Sequence, residues 1–309
     1  MKAEAGSPTD TTGKVFCLGA ATIDLVTEVG QFPLPDTKVE ADCLTIHPGG
    51  PAFTGAAFLA WKGWEVHFSG VCGTDLWGQY LRNEMVSRNV RYHPPVGGEA
   101  DGTNVALVWV ETESARRTIL WKNTGVMEKP RHLSPEARKI LSGASLLYLD
   151  GHGGELVIEA VNIAKAHGIP ILFDGGSRKD TDDKVLPAVD DLIVSSRFAE
   201  QYFPGLDPRQ AMEEMEKRWG PFRRTGITLG EEGSWACLAD GAVRHFPAFP
   251  VEAIDTNGAG DIFHATFAWR LLEGDDDQQS WLQATQLAAE STTAHGGGIS
   301  WIDQQTTRS

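Results

Sequence analysis

Residues 255–267 read DTNGAGDIFHATF, where two acids flank a turn of small residues and an apolar run follows at once. The pattern predicts that a helix begins near Gly258, and it leaves two interpretations of Asp261. In the first, Asp261 is an ordinary acidic residue that stabilises a helix N-terminus. In the second, the backbone amides of Gly258–Gly260 bind an anion, and Asp261 takes a proton from a hydroxyl that attacks a phosphate.

The rest of the chain alternates short apolar runs, which end in Gly, Asp or Ser, with longer helical segments. This alternation predicts an α/β fold with a mainly parallel sheet covered by helices on both faces, and a ligand crevice formed by the loops that follow the strands. The predicted strands are 15–20, 65–71, 145–151, 169–176, 191–196 and 226–233. The predicted helices are 51–63, 76–89, 155–167, 258–273 and about 279–294.

Two segments interrupt this alternation. Residues 29–48 contain three prolines and a polar–apolar alternation, and residues 103–123 read as a hairpin with a polar turn. Because both are strand-like and lie outside the βα pattern, we expect them to pair into a small sheet that acts as a lid. Residues 1–13 are small and polar without an apolar stretch, which predicts a disordered leader before a single domain at 14–309.

Composition excludes several classes of function. The 309 residues carry a formal net charge of −15 without a basic cluster, so nucleic acid and anionic membrane surfaces are not expected partners. No apolar run approaches the roughly 18 residues of a membrane span. The four cysteines lie far apart and predict free thiols in a reducing compartment, the cytoplasm.

Four stretches together resemble the PfkB, or ribokinase-like, family of carbohydrate kinases. Residues 255–261 resemble its D-T-x-G-A-G-D signature, and GGPAFTGAAFLAWKG at 49–63 resembles its N-terminal signature. Residues 70–81 and 228–235 resemble its G-x-V-G-x-D-x-x-G segment and its nucleotide loop. The resemblance covers 14–301 and implies a three-layer α/β/α sandwich with a small β-sheet lid, and ATP-dependent phosphorylation of a primary hydroxyl of a small sugar.

The resemblance also implies roles for individual residues. Asp261 matches the position of the family's catalytic base. The residues that match the family's anion hole for the phosphoryl group are Gly258, Ala259 and Gly260. Those that fall on the sugar contacts are Asp24, Gly49, Gly50 and Thr54. Those that fall on the ATP crevice are Thr228, Gly230, Gly233 and Ser196.

Two kinds of metal ion are implied as well. Mg²⁺ bridges the ATP phosphates, and Asp174 and Glu200 are candidates for its network. Asp255 and Asn257 match positions where backbone groups hold a monovalent cation such as K⁺ in related enzymes.

The chain departs from the family pattern at three places. Thr54 stands where the N-terminal signature usually has Asn, and His264 stands where Asp-x-Phe-Asn is usual. SSRFAE at 195–200 only partly matches the N-x-x-E segment. The first two departures most resemble sulfofructose kinases, in which Lys38 on the lid would reach an anionic substrate group. The Arg that such an enzyme uses after the strand LLYLD is not matched, since DGHGG stands there.

Other side chains have less definite roles. Trp121 is expected to stack on a sugar ring, while the roles of His152 and Arg178 stay open. A nucleoside kinase of the same fold and a non-catalytic sugar-sensing protein remain alternatives. A nicotinamide-dependent oxidoreductase is disfavoured, because CLGAATID lacks G-x-G-x-x-G after the first strand. A homodimer through the lid is expected, since exposed sheet edges invite partners.

Overall fold

The computed structural model describes residues 13–41, 43–98, 102–111, 117–122, 124–125 and 129–308. The predicted leader therefore lies, apart from Gly13, outside the described residues. The strands are β1 (Lys14–Leu18), β2 (Thr22–Val29), β3 (Cys43–Gly49), β4 (Glu65–Ser69), β5 (Val90–Tyr92), β6 (Val105–Glu111), β7 (Arg117–Lys122), β8 (Leu146–Leu149), β9 (Ile171–Gly175), β10 (Asp191–Ser195), β11 (Arg224–Thr228), β12 (Ser234–Cys237) and β13 (Val243–Phe246). The helices are α1 (Pro51–Trp61), α2 (Leu76–Ser87), α3 (Pro135–Leu141), α4 (Glu155–His167), α5 (Asp182–Val185), α6 (Ser196–Tyr202), α7 (Pro208–Trp219), α8 (Ala259–Leu272), α9 (Asp277–Ser291) and α10 (Gly297–Arg308).

The larger sheet has the strand order β13-β12-β11-β10-β9-β8-β1-β4-β5. Every neighbouring pair from β5 to β11 in that order is parallel, and β12 and β13 run antiparallel at one edge. Successive residues of the central strands enter opposite hydrophobic layers: Cys17 packs with one cluster and Leu18 with the other. The predicted three-layer α/β/α sandwich is confirmed.

A second sheet has the order β3-β2-β6-β7, with β2 and β6 parallel and the outer pairs antiparallel. The two irregular segments do join one sheet, but through β2, most of which lies outside both of them. β2 begins at Thr22, well before the predicted boundary at residue 29. Gly19, Ala20 and Ala21 separate β1 from β2, so the chain moves almost directly from the large sheet to the small one.

Helix boundaries follow local signals closely. Asp75 caps α2 by accepting a hydrogen bond from Gly78 N at 2.8 Å, as its position predicts. α8 and α9 lie where helices are predicted, and α10 is an additional helix that the sequence did not predict. The four cysteines are free thiols, as predicted. None of the described helices is long and apolar enough to cross a membrane.

Candidate active site

A cavity of about 320 Å³ lies between the two sheets. Its floor includes Ala20, just after β1, and His152, just after β8. β1 is the strand at which the order reverses, since the chain next adds β4 on one side and later adds β8 on the other. Ligands in open parallel sheets bind outside the carboxyl ends of strands at such a reversal, so the topology places the cavity where a substrate is expected.

One cross-strand row of the small sheet forms a wall of the cavity. Asp24 on β2 is paired with His47 on β3 and with Ala106 on β6, and Ala106 is paired with Trp121 on β7. Paired residues of neighbouring strands point to the same face. Asp24, His47 and Trp121 accordingly all line the cavity, although they come from three separate stretches of the chain.

The start of α1 supplies a second wall, formed by Gly49, Gly50 and Thr54. Gly50 has φ +98°, and a Cβ built there would lie 2.5 Å from the Ala20 carbonyl oxygen. A side chain at Gly50 is therefore excluded both by conformation and by space. Gly49 and Gly50 thus line the cavity with backbone atoms, and their contact with a sugar stays a prediction.

Asp150 holds these walls together, and the sequence reading missed it. Its carboxylate accepts hydrogen bonds from Ala20 N at 2.8 Å, Ala52 N at 3.1 Å and His152 N at 2.9 Å. These amides come from the loop after β1, the first turn of α1 and the loop after β8. The only sequence signal is the acid at the end of LLYLD, which is also common in ordinary turns.

The third wall is the start of α8. Gly258 precedes the helix in the left-handed region, at φ 73°, and lines the cavity together with Asp261. First-turn amides of a helix lack partners within the helix, and the helix dipole makes this end attractive to anions. Ala259 N donates a long bond of 3.4 Å to Thr256 O, and Gly260 is exposed. Neither of these two residues is among those that line the cavity.

Asp261 belongs to a buried polar cluster. Its pKa is raised by burial first and then by the nearby Asp174 carboxylate, whereas His264 lowers it. Asp174 accepts a hydrogen bond from the Tyr148 hydroxyl at 3.0 Å, and burial and Asp150 raise its pKa in turn. Asp174 faces Tyr148 and His264, and is not among the residues that line the cavity.

Asp24 is held by the turn that precedes α8. Asn257 Nδ2 donates to Asp24 Oδ2 at 3.2 Å. Burial raises the pKa of Asp24, and the Asn257 hydrogen bond and His47 lower it. Asp255 accepts hydrogen bonds from Asn257 N at 2.8 Å and from Gly296 N at 3.1 Å, which fixes this turn against the segment before α10. These hydrogen bonds involve the side-chain carboxylate of Asp255. The binding of a monovalent cation by its backbone stays a prediction.

The residues predicted for ATP lie away from this cavity. Ser195, which precedes Ser196, is paired with Thr228 at the carboxyl ends of β10 and β11. Gly230 and Gly233 follow in the turn before β12, both with positive φ, and a Cβ at Gly230 would meet nothing within 4 Å. The space beside Gly230 is therefore open at this edge of the large sheet, and its use by a nucleotide stays a prediction.

Three other predicted or discussed residues lie outside the cavity. Glu200 on α6 accepts a bond from Gly205 N at 3.2 Å and is exposed. Lys38 is exposed in the segment between β2 and β3. Arg178 lies over the Tyr202 ring, 5.0 Å from its centroid.

Sequence reasoning missed His47 and Asn104 as cavity residues. His47 is held by Ser300 Oγ at 3.0 Å and Thr45 Oγ1 at 2.8 Å. Asn104 Oδ1 accepts from Thr124 Oγ1 at 2.8 Å. His47 precedes the Pro-Gly-Gly motif, and Asn104 precedes the hairpin strand, but neither position carries a distinctive pattern. His152, whose role stayed open, also lines the cavity.

Comparison with known proteins identifies the family. The model described as pfkB family carbohydrate kinase matches residues 12–304. The chain belongs to this family. As a carbohydrate kinase of this kind it is a phosphotransferase that acts on a hydroxyl group. The predicted family and class of enzyme are confirmed, while the finer resemblance to sulfofructose kinases stays a prediction.

Relatives of this kinase extend over nearly its whole length. A ribokinase of Lactococcus lactis is 26% identical over 290 residues, which covers 92% of this chain and 93% of the relative. A deoxyribokinase of Salmonella typhi is 26% identical over 290 residues, 91% of this chain and 93% of the relative. A sequence identity of 26% does not establish which sugar this kinase phosphorylates.

Solved structures confirm the fold. Arabidopsis thaliana ribokinase complexed with ribose and ATP superposes with a TM-score of 0.77 at 20% identity, over 93% of this chain and 95% of that chain. Ribokinase from Thermotoga maritima superposes with a TM-score of 0.76 at 22% identity, over 96% of this chain and 99% of that chain. The kinase therefore has a ribokinase-like fold.

Proposed function

We propose that this kinase transfers the γ-phosphoryl group of ATP to a primary hydroxyl of a small neutral sugar, with Asp261 as the general base. One observation carries the proposal: Asp24 and Asp261 line the same cavity, and Asp261 lies in the first turn of α8. Asp24, which would accept hydrogen bonds from sugar hydroxyls, therefore faces the same cavity as Asp261. Asp261 lies beside a helix N-terminus, which favours anion binding.

Each wall has a separate part in the reaction. Asp24 accepts hydrogen bonds from sugar hydroxyls, and the open backbone at Gly49–Gly50 lets the sugar lie close. Asp261 takes the proton of the attacking hydroxyl. The amides of Gly258–Gly260 stabilise the charge on the phosphoryl group. The small sheet acts as the lid, which keeps water from the reacting atoms.

ATP occupies the edge formed by Ser196, Thr228, Gly230 and Gly233, and it supplies the phosphoryl group. Mg²⁺ neutralises its phosphate charge. Among the described residues, no group of three or more His, Cys, Asp or Glu side chains is arranged to hold a metal. In the proposal the magnesium ion is held mainly by phosphates and water. A K⁺ ion at the backbone of Asp255–Asn257 remains part of the proposal.

The chemistry of the lining favours a neutral sugar. The described residues that line the cavity include neither Lys nor Arg, and Lys38 is exposed outside it. A sulfonate or carboxylate on the substrate would therefore face Asp24 without a cation to pair with it. The volume of about 320 Å³ is at the small end for ligand sites. Relatives named ribokinase and deoxyribokinase support pentoses as the first candidates.

The testing experiment is an ATP-consumption screen over pentoses, deoxypentoses, ketohexoses, sulfosugars, deoxy-keto acids and nucleosides. Asp261→Asn serves as the blank and is expected to lower turnover by roughly 10²–10⁴-fold, with ATP binding kept. Asp180→Asn, at an exposed position, is the matched control and keeps wild-type turnover. Near-wild-type turnover in Asp261→Asn contradicts the proposed base. Preference for a nucleoside or an acidic sugar contradicts the proposed substrate class.

We further propose a cytoplasmic homodimer that pairs through the outer face of the small sheet. Leu107 is paired with Leu120, one position away from the cavity row and hence on the opposite face, and both side chains are exposed. An exposed apolar face of this kind indicates a protein contact. Analytical sedimentation tests the proposed dimer. A dimeric wild type together with a monomeric Leu107→Lys variant supports it. A monomeric wild type contradicts it.

A further inference from the structure

His264 is a buried residue one turn into α8, and the proposed reaction leaves it without a role. Its side chain is 3% exposed. Nδ1 lies 2.6 Å from the carbonyl oxygen of Gly260, in the same helix, and Nε2 lies 3.1 Å from the carbonyl oxygen of Ile193 on β10. The ring therefore bridges the first turn of α8 and a central strand of the large sheet.

Both contacts are with atoms that only accept hydrogen bonds. A neutral imidazole has one N–H donor, so one of its nitrogens would direct a lone pair at a carbonyl oxygen. Two donors exist only in the imidazolium form. Asp174 Oδ2 lies 3.5 Å from Nδ1 and gives that form an ion-pair partner, itself 3% exposed.

We propose that His264 is a positioning residue that is held as an imidazolium between the Gly260 and Ile193 carbonyls, and that it fixes the first turn of α8 and keeps Asp261 ionised. The inference rests on the proposed role of Asp261 as the base. It gives a function to the histidine that replaces the usual residue of the D-x-F-N motif.

The charges around the ring act in both directions. Burial is the largest effect and leaves the pKa of His264 below its usual value, although the Gly260 and Ile193 carbonyls and the Asp261 carboxylate act to raise it. The assignment therefore rests on the two facing carbonyl acceptors and on the nearby Asp174 carboxylate. The positive ring in turn lowers the pKa of Asp261 against the effect of burial and of Asp174. The titratable groups that act on this pair are Asp24 on β2, Tyr148 on β8, Asp150 after β8 and Asp174 on β9.

The positive ring also offsets the repulsion between two carboxyl groups. The Asp174 carboxylate raises the pKa of Asp261, and by the same Coulomb repulsion each group makes the other harder to ionise. A buried cation between a strand and a helix offsets one of these charges. The remaining negative charge is then available to accept the proton of the substrate.

The kinetic test compares the pH profiles of wild type and His264→Asn. Asparagine cannot donate to two opposed carbonyls in this geometry and carries no charge, so the pKa of Asp261 rises. The acidic limb of kcat/KM for the sugar is expected to move upward by about one pH unit, which is roughly tenfold in activity below that limb. KM for ATP is expected to stay unchanged.

The matched control is His167→Asn. His167 Nδ1 also contacts the carbonyl four residues earlier, Ile163, at 2.9 Å, but the side chain is exposed on α4. His167→Asn is expected to leave the pH profile of kcat/KM unchanged. A uniform loss of kcat in His264→Asn without movement of the acidic limb overturns the proposal, because it indicates a packing role alone.

A spectroscopic readout does not depend on turnover or on any variant that folds poorly. The ring nitrogens of His264 in ¹⁵N-labelled wild-type protein are expected to report the imidazolium form near neutral pH. A neutral ring with one protonated nitrogen overturns the proposal. If Asp261→Asn turned over sugar as fast as wild type, that result would contradict the proposed function and not the proposal for His264. The ¹⁵N signal of the ring would still show whether His264 is protonated on both nitrogens.

Discussion

Asn257 and Asp24 are joined by a hydrogen bond of 3.2 Å from the side-chain amide to the carboxylate. Asn257 lies in the turn just before Gly258 and α8, and Asp24 lies on β2. The bond is therefore a direct connection between the small sheet and the start of α8. Because Asp24 and Asp261 both line the cavity, it also links the proposed sugar contact to the turn that precedes the proposed base.

Asn257→Ala removes that connection. The amide lowers the pKa of Asp24 against burial, so its loss leaves the carboxyl more readily protonated and less well oriented. We expect KM for the sugar to rise by about fivefold, which corresponds to one hydrogen bond of about 1 kcal/mol. Steady-state kinetics measure it, with Asn162→Ala on the exposed face of α4 as the control. An unchanged KM contradicts the assigned role of Asp24.

Gly50→Ala tests the close approach of backbone to substrate. The new Cβ would lie 2.5 Å from the Ala20 carbonyl at φ +98°, so the wall must move. Gly63→Ala is the matched control, because Gly63 has φ +91° and nothing within 4 Å. Both variants are expected to lose stability through backbone strain. Gly50→Ala alone is expected to lose sugar affinity, and equal kinetics in the two variants would refute this.

Asp174→Asn is expected to shift the pH profile in the direction opposite to that of His264→Asn. In the proposed mechanism turnover needs the Asp261 carboxylate. Because the pKa of Asp261 is raised, activity is expected to be lost as the pH falls through that raised value. Removing the charge of Asp174 lowers the pKa of Asp261. The acidic limb therefore moves to lower pH, and Asp180→Asn leaves it unchanged.

Asp174→Asn also makes a prediction about stability. The pKa of Asp174 is raised in the folded state, so the folded protein binds this proton more tightly than the unfolded chain. Stability consequently falls as the pH rises through the interval between the two pKa values. Thermal melts should show a smaller loss of stability between about pH 5 and about pH 8 in the variant than in wild type. An equal loss contradicts the raised pKa.

Trp121 tests the contribution of the small sheet to sugar binding. The indole lines the cavity with 55% of its surface still exposed, so a ligand has room to cover it. Trp121→Ala is expected to raise KM for the sugar by about tenfold with a smaller effect on kcat, and Trp121→Phe retains part of the stacking. Ile119→Ala, two residues earlier on the same strand at an exposed position outside the cavity lining, controls for damage to β7. Equal effects of the two alanine variants contradict stacking.

The large sheet was predictable because its strands are buried on both faces and read as continuous apolar runs. LLYL at 146–149 and DLIVS at 191–195 are examples, and both lie within their predicted ranges. The motif at Gly258–Asp261 also gave the correct helix start. These features depend on local sequence, so a single chain is enough to detect them.

The parts that were not predictable depend on pairing. TIDLV at 22–26 lies outside every predicted strand, but it becomes part of β2 because β6, far along the chain, pairs with it. Asp150 looks like a turn acid until three backbone amides converge on it. His264 was noticed as a departure from a motif, but its partner Ile193 is known only from the fold.

In the proposed mechanism, the cross-strand row that joins His47, Asp24, Ala106 and Trp121 separates the choice of substrate from the chemistry. Each strand of the small sheet contributes one position to this row, while the proposed base, Asp261, lies on α8. Single substitutions along the row can therefore diversify the accepted sugar without disturbing proton transfer. A one-residue insertion within any of these strands would instead turn its cavity position to the other face, so evolution of this enzyme should vary the identities in the row and confine changes of length to the connections.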